Sequence, residues 1–128
     1  MRRRPALAAA ALLALGGCAG QEGGSGVVEG GPVAYVTPSS DGGDAALLEG
    51  TVSVTDVCLT VVDELGQRWL PVFQRPRTTW DGTTLTYDGT SYTDGGHIRL
   101  GGGGSGSTDS TDYAPDGCEF DLAFYVAP

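Results

Sequence analysis

Apolar residues fall in two patterns along this chain. From Ala6 to Leu15 they run without a break, and beyond residue 46 they come in short stretches that mostly alternate with polar ones. Between the two, residues 19–44 are mainly glycine, serine, proline and acids, with one apolar patch at Val33-Ala34-Tyr35-Val36. Alternation with a period of two marks a half-buried strand, because successive side chains point to opposite faces. Val52 and Val54 alternate in this way with Thr51, Ser53 and Thr55. The next stretch, Val57-Cys58-Leu59-Thr60-Val61-Val62, is β-branched and apolar on both faces. Residues 67–73 carry Trp69, Pro71 and Phe73 on one face and Leu70 and Val72 on the other. Shorter strands are expected at 83–87, 90–92 and 97–100, and a last one at 118–126, with Cys118, Phe120, Leu122, Phe124 and Val126 on a common face.

Turn residues separate these stretches. Asp63-Glu64-Leu65-Gly66, Asp88-Gly89 and Asp94-Gly95-Gly96 each place a glycine where a hairpin needs a positive φ. Pro71 has no N–H to give to a ladder, so its strand is expected at a sheet edge or bent there. Residues 101–117 read as a long acidic, glycine-rich loop. No stretch after residue 18 has a helical period. Six or seven short strands joined by tight turns predict an all-β barrel or sandwich, and the low strand count with alternating faces favours an OB-like barrel.

The unbroken run changes the picture of the N-terminus. Arg2, Arg3 and Arg4 precede it, and it is shorter than the ~20 apolar residues needed to cross a bilayer. Basic residues followed by a short apolar core are the parts of a secretory signal. The run ends in Leu15-Gly16-Gly17-Cys18, which resembles the lipobox of bacterial lipoproteins. That resemblance implies cleavage before Cys18, a diacylglyceryl thioether on its sulfur and acylation, such as palmitate, of the new amino group. It divides the chain into a signal peptide (1–17), a lipidated N-terminus with a flexible tether (18–46) and a small β domain (47–128). A coil of about 25 residues spans roughly 25–30 Å, enough to hold the domain clear of lipid headgroups. Val33–Val36 could instead supply a first strand or dock back on the domain. The folded part, with Arg-Trp-Leu-Pro-Val-Phe, Trp-Asp-Gly and Pro-Asp-Gly-Cys among its motifs, resembles small exported β domains of actinobacterial lipoproteins, to which no activity attaches.

Charge narrows the partners. The full chain carries −9; without the three leader arginines, four cations face sixteen acids, a formal charge of −12. Such a domain lacks the clustered positive charge that phosphate neutralisation requires, so nucleic acid is excluded as a partner. The membrane is reached through the lipid on Cys18, which places the protein at the extracytoplasmic face of the cell membrane. With Cys18 lipidated, Cys58 and Cys118 remain as an even pair in an oxidising compartment and are expected to form a disulfide. A metal site on the two cysteines would want further thiolate or imidazole ligands.

Candidate chemistry is sparse. His97 is the only histidine, and no serine sits in a nucleophile-elbow pattern, so a hydrolase is disfavoured and no catalytic residue is assigned. Asp109, Asp112, Asp116 and Glu119 place oxygen ligands on a flexible stretch, where Ca²⁺ is the one cofactor to consider, although their spacing is not that of an EF-hand. Trp80, with Arg75 and Arg77 nearby, is the candidate for an exposed binding surface, whereas Trp69 is expected in the core. The sequence therefore predicts a membrane-anchored lipoprotein of the cell envelope with a non-catalytic binding or structural role toward an envelope protein. The alternative is a small-ligand or Ca²⁺-binding module.

Overall fold

A computed structural model describes residues 30–38 and 44–128. The expected signal peptide, Cys18 and most of the expected tether lie outside the described residues. Within them the chain is all-β, with a single 3₁₀ turn at Arg75–Arg77. The strands are β1 (Ala34–Val36), β2 (Ala46–Val54), β3 (Leu59–Asp63), β4 (Arg68–Gln74), β5 (Thr78–Trp80), β6 (Leu85–Tyr87), β7 (Thr90–Tyr92), β8 (His97–Ser105) and β9 (Leu122–Val126).

Five of them close a barrel. β2 pairs antiparallel with β3 and β8, β3 with β4, and β8 with β9, while β4 and β9 run parallel and complete the ring. Counting barrel strands in chain order, the first pairs with the second and fourth, and the third lies parallel to the fifth. This is the strand order of an OB-like barrel, and closure leaves the five strands without a free edge to template aggregation. In place of a helix, the connection from β4 to β8 carries the three-stranded meander β5-β6-β7.

The alternation read from sequence sets the register. Val52 lies opposite Val61, and both point inward to join Phe73, Ile98, Leu100, Phe124 and Val126 in the main core. The meander plugs one end of it. Leu85 is fully buried, the Tyr87 ring packs on Phe73 at a tilt with centroids 5.1 Å apart, and the Tyr87 hydroxyl donates to the Ala127 carbonyl oxygen at 2.9 Å. Burial pushes that phenol up to about 12. The Asp88-Gly89 turn forms as the sequence requires, with φ of 51° and 87°.

Several details differ from the sequence reading. Among the described residues nine strands form rather than six or seven; the additional ones are β1 and β5, of three residues each. The patch at 33–36 is part of the fold rather than of the tether: Val33, Ala34 and Tyr35 are buried, and β1 pairs in parallel with Val72–Gln74 of β4. β4 is an interior strand. Pro71 is tolerated because the β3 ladder ends at Trp69 and the β1 ladder begins at Val72, so the proline falls where the neighbour changes.

The glycine-rich stretch is not wholly loop, since Gly101–Gly104 belong to β8. A side chain at Gly102 would collide with the Tyr125 carbonyl oxygen, and the Trp69 ring lies 3.2 Å from where a Cβ on Gly104 would stand. The last strand starts at Leu122, and Cys118 and Phe120 precede it. With Ala114, they pack on a second cluster formed by Ala34, Leu70, Val72 and Ala123 on the outer face of β1, β4 and β9. The connection from β8 to β9 thus folds over the outside of the barrel.

Candidate functional site

Three outward positions on the first three barrel strands define the site. The β2–β3 register sets Ser53 opposite Thr60, and the β3–β4 register sets Val62 opposite Arg68. Because Val52 and Val61 face the core, their neighbours Ser53 and Thr60 face out. Arg68 reaches across them. Its Nη1 donates to the Thr60 hydroxyl at 2.8 Å and, at 3.4 Å, to that of Ser53. The Arg68 backbone is fixed independently: its N–H donates to Asp121 Oδ2 at 2.8 Å, and its carbonyl accepts from the Asp121 N–H at 2.7 Å.

Two loops wall the floor. The turn between β2 and β3 is held by Thr55, whose hydroxyl accepts the N–H groups of Val57 and Cys58, both at 3.1 Å. The Cys58–Cys118 disulfide, with Cα atoms 5.6 Å apart, fastens this turn to the β8–β9 connection. Gly117 and Glu119 thereby come to the opposite rim. The groove between them is open to solvent and has a volume of about 430 Å³, within the range that holds small molecules.

The electrostatics of this groove are unusual for so acidic a chain. Among the described residues the only ion pairs are Arg77 with Asp88 and His97 with Glu49. The Arg68 guanidinium therefore meets no carboxylate within 4 Å and bonds only to neutral hydroxyls. Nη1 is occupied, while Nη2 and Nε have no hydrogen-bond partner among the described residues, and such a planar fork on a residue that lines the groove matches an oxyanion. Glu119 is the one acid that lines the same space. No imidazole lines it, as His97 stands on β8 and bonds Glu49 Oε2 at 2.8 Å.

The residues singled out from sequence are distributed elsewhere. Trp80 is not an exposed platform: it is half-buried and packs against the main core. Arg75 lies 5.2 Å over the Tyr35 ring, and Arg77 is held by Asp88 at 3.1 Å and Gln74 Oε1 at 3.2 Å. Both arginines are exposed and brace β1 and the meander. Asp109, Asp112, Asp116 and Glu119 do not converge. Among the described residues no group of three or more His, Cys, Asp or Glu side chains could hold a metal ion. Asp112 accepts from Thr37, and Glu119 joins the groove, so these two acids serve different neighbours. The disulfide between Cys58 and Cys118 is present as expected.

Sequence reading passed over Ser53, Thr60 and Arg68 as parts of a site. Only Ser53 stands in an alternating stretch; Thr60 and Arg68 lie in stretches apolar on both faces, and nothing local shows that three strands bring the three together. Comparison with protein-family models, with curated proteins and with solved structures finds no match to this chain.

Proposed function

We propose that the chain is a lipid-anchored extracytoplasmic protein whose OB-like barrel binds a small ligand or partner segment by contact rather than catalysis. The observation that carries this reading is the groove at Arg68. It lies on the outward face of the first three barrel strands, between the first and last barrel loops, and so includes the face of the second and third strands where OB barrels take their ligands. A half-buried guanidinium without a carboxylate partner has given up hydration that a bound oxyanion would replace. The anchor follows from Leu15-Gly16-Gly17-Cys18 behind its basic, apolar leader. Such tethering keeps a binding domain at the membrane and raises its effective concentration there. The domain's lack of clustered cations argues against oligonucleotide ligands.

Two labels test the reading in intact cells. A photoreactive amino acid at Thr55, on the groove rim, is expected to give adducts, and one at exposed Thr79 on the meander is not. Equal yields at both positions would overturn the binding face. A fatty-acid probe is expected to label the wild type and not Cys18→Ala, and persistent labelling of that variant would overturn the anchor.

A further inference from the structure

From the groove geometry we infer the chemical class of its ligand: a small, hydroxyl-rich molecule carrying one carboxylate, such as a sugar acid. The inference rests on the reading of this groove as the binding face. It joins three observations. The first is the free edge of the Arg68 guanidinium. With Nη1 bonded to Thr60 and Ser53, the Nη2–Nε edge keeps two parallel donors without a partner among the described residues, on a side chain that lines the groove. That spacing fits the two oxygens of a carboxylate.

The second is the wall chemistry. The hydroxyls of Ser53, Thr55 and Thr60 line the space together with the Glu119 carboxylate. Thr55 is taken up by its own turn, but the Ser53 hydroxyl keeps its proton to donate and the Glu119 carboxylate can accept, so a hydroxyl-bearing ligand finds both kinds of partner there.

The third is net charge. With sixteen acids against four cations beyond the leader, the domain repels polyanions. A ligand with a single negative charge meets this repulsion once and gains the one cation in the groove. Glu119, on the same rim, further disfavours a second anionic group and offers an acceptor to a hydroxyl. The groove is thus an OB-like face adapted to a small monoanion rather than to a phosphate backbone.

The test titrates the full chain in detergent micelles with D-glucuronate, D-glucose and sulfate while following the Arg68 Nε–H resonance. That resonance is identified by its loss in Arg68→Lys. Glucuronate up to about 10 mM, tenfold above the millimolar Kd of a weak site, is expected to shift it saturably, with glucose and sulfate at least tenfold weaker. Arg68→Lys keeps the charge but not the fork, and is expected to weaken binding about tenfold as read on the backbone amides of Ser53 and Thr60. Glu119→Gln is expected to tighten it about two- to fivefold, since it removes a like charge near the bound carboxylate. The well-dispersed amide spectrum of each variant checks that it is folded. No response to glucuronate, an equal response to glucose or sulfate, or weaker binding by Glu119→Gln would each overturn the inference. Adducts at Thr55 without a glucuronate response would leave the binding face standing and remove only this ligand class.

Discussion

Thr37 and Asp112, 75 positions apart, are joined twice through one carboxylate oxygen. The Thr37 N–H donates to Asp112 Oδ2 at 2.9 Å and its hydroxyl at 2.6 Å. Beside them, Tyr35 donates its N–H to the Tyr113 carbonyl at 3.0 Å and accepts from the N–H groups of Asp112 and Tyr113. The end of β1 is therefore latched to the β8–β9 connection, and an acid that the sequence offers as a calcium ligand acts as a cap. Asp112→Ala is expected to cost about 1 kcal/mol, at the low end for bonds to a charged acceptor because the pair is exposed. Asp112→Asn, which keeps one acceptor oxygen, should cost less. Urea midpoints measure both, and millimolar Ca²⁺ is expected to leave the wild-type midpoint where it is.

The disulfide joins residues 60 apart and is the single covalent tie between the two walls of the groove. Closing a loop of that length contributes about 4 kcal/mol in the chain-entropy model. For a domain of this size, Cys58→Ala with Cys118→Ala is expected to lower the thermal midpoint by roughly 15–30 °C. Treatment of the wild type with a thiol reductant should reproduce the shift. A double variant that melts within a few degrees of the wild type would show that the loop packing alone fixes the wall.

How much of this was legible in the sequence depends on how local each feature is. Val52, Val54 and the alternation around Trp69 and Phe73 are period-two signals, and the Asp88-Gly89 turn is a two-residue one; both kinds were readable and led to the OB-like barrel. β1 was ambiguous because three apolar residues between glycines and prolines cannot be told from a tether until β4 offers them a ladder. Gly101–Gly104 read as loop because glycine is a poor strand former. What makes them strand is tertiary: the Tyr125 carbonyl and the Trp69 ring take the space that side chains would need. Arg68 was invisible as a site for a related reason, since its partners Ser53 and Thr60 come from two other strands.

That account of the glycine strand makes a prediction of its own. Gly102→Ala puts a Cβ against the backbone of β9, which cannot move without breaking the β8–β9 ladder. It is expected to destabilise by about 2–3 kcal/mol, in the range of overpacked cores. Gly104→Ala meets the edge of the Trp69 ring at 3.2 Å rather than backbone at close range, and should cost less while shifting the Trp69 fluorescence. Denaturant midpoints for the two variants decide the ranking.

Asp63 ties the β3–β4 turn together. Its Oδ2 accepts from Trp69 Nε1 at 2.9 Å, and its Oδ1 accepts from the N–H groups of Leu65 and Gln67 at 2.9 Å each. The Trp69 bond first, then those from the backbone at Gln67 and Leu65, hold the carboxyl below its ordinary value of 3.8. A depressed folded value contributes stability that is present above 3.8 and is lost as the pH falls through the folded value. Asp63→Asn, which mimics the protonated acid, is therefore expected to be less stable than the wild type at neutral pH. The gap between the two should narrow as the pH falls below 3.8, as read from denaturant midpoints on both sides of that value. A gap that stays constant across this window would remove Asp63 from the acid response.

At the other end of the pH scale the relevant group is Tyr87. Its phenol is pushed up to about 12, chiefly by burial against the core that the meander plugs, while the Arg77 cation works in the opposite direction. Because the folded value is raised, the stability carried by the neutral phenol is complete below pH 10 and is lost as the pH rises toward 12. Of the five tyrosines, Tyr125 is also raised by burial, so the phenolate absorbance should develop in stages, with Tyr87 among the last. Tyr87→Phe is expected to remove the latest stage. At neutral pH it should cost about 1 kcal/mol, since the Ala127 carbonyl loses its donor in a half-buried place. If alkaline unfolding of the wild type tracks the final stage, and Tyr87→Phe unfolds over a broader range, then the meander's hold on the barrel depends on this one hydroxyl. Coincident alkaline transitions in the two proteins would place that hold in the apolar contacts of Leu85 instead.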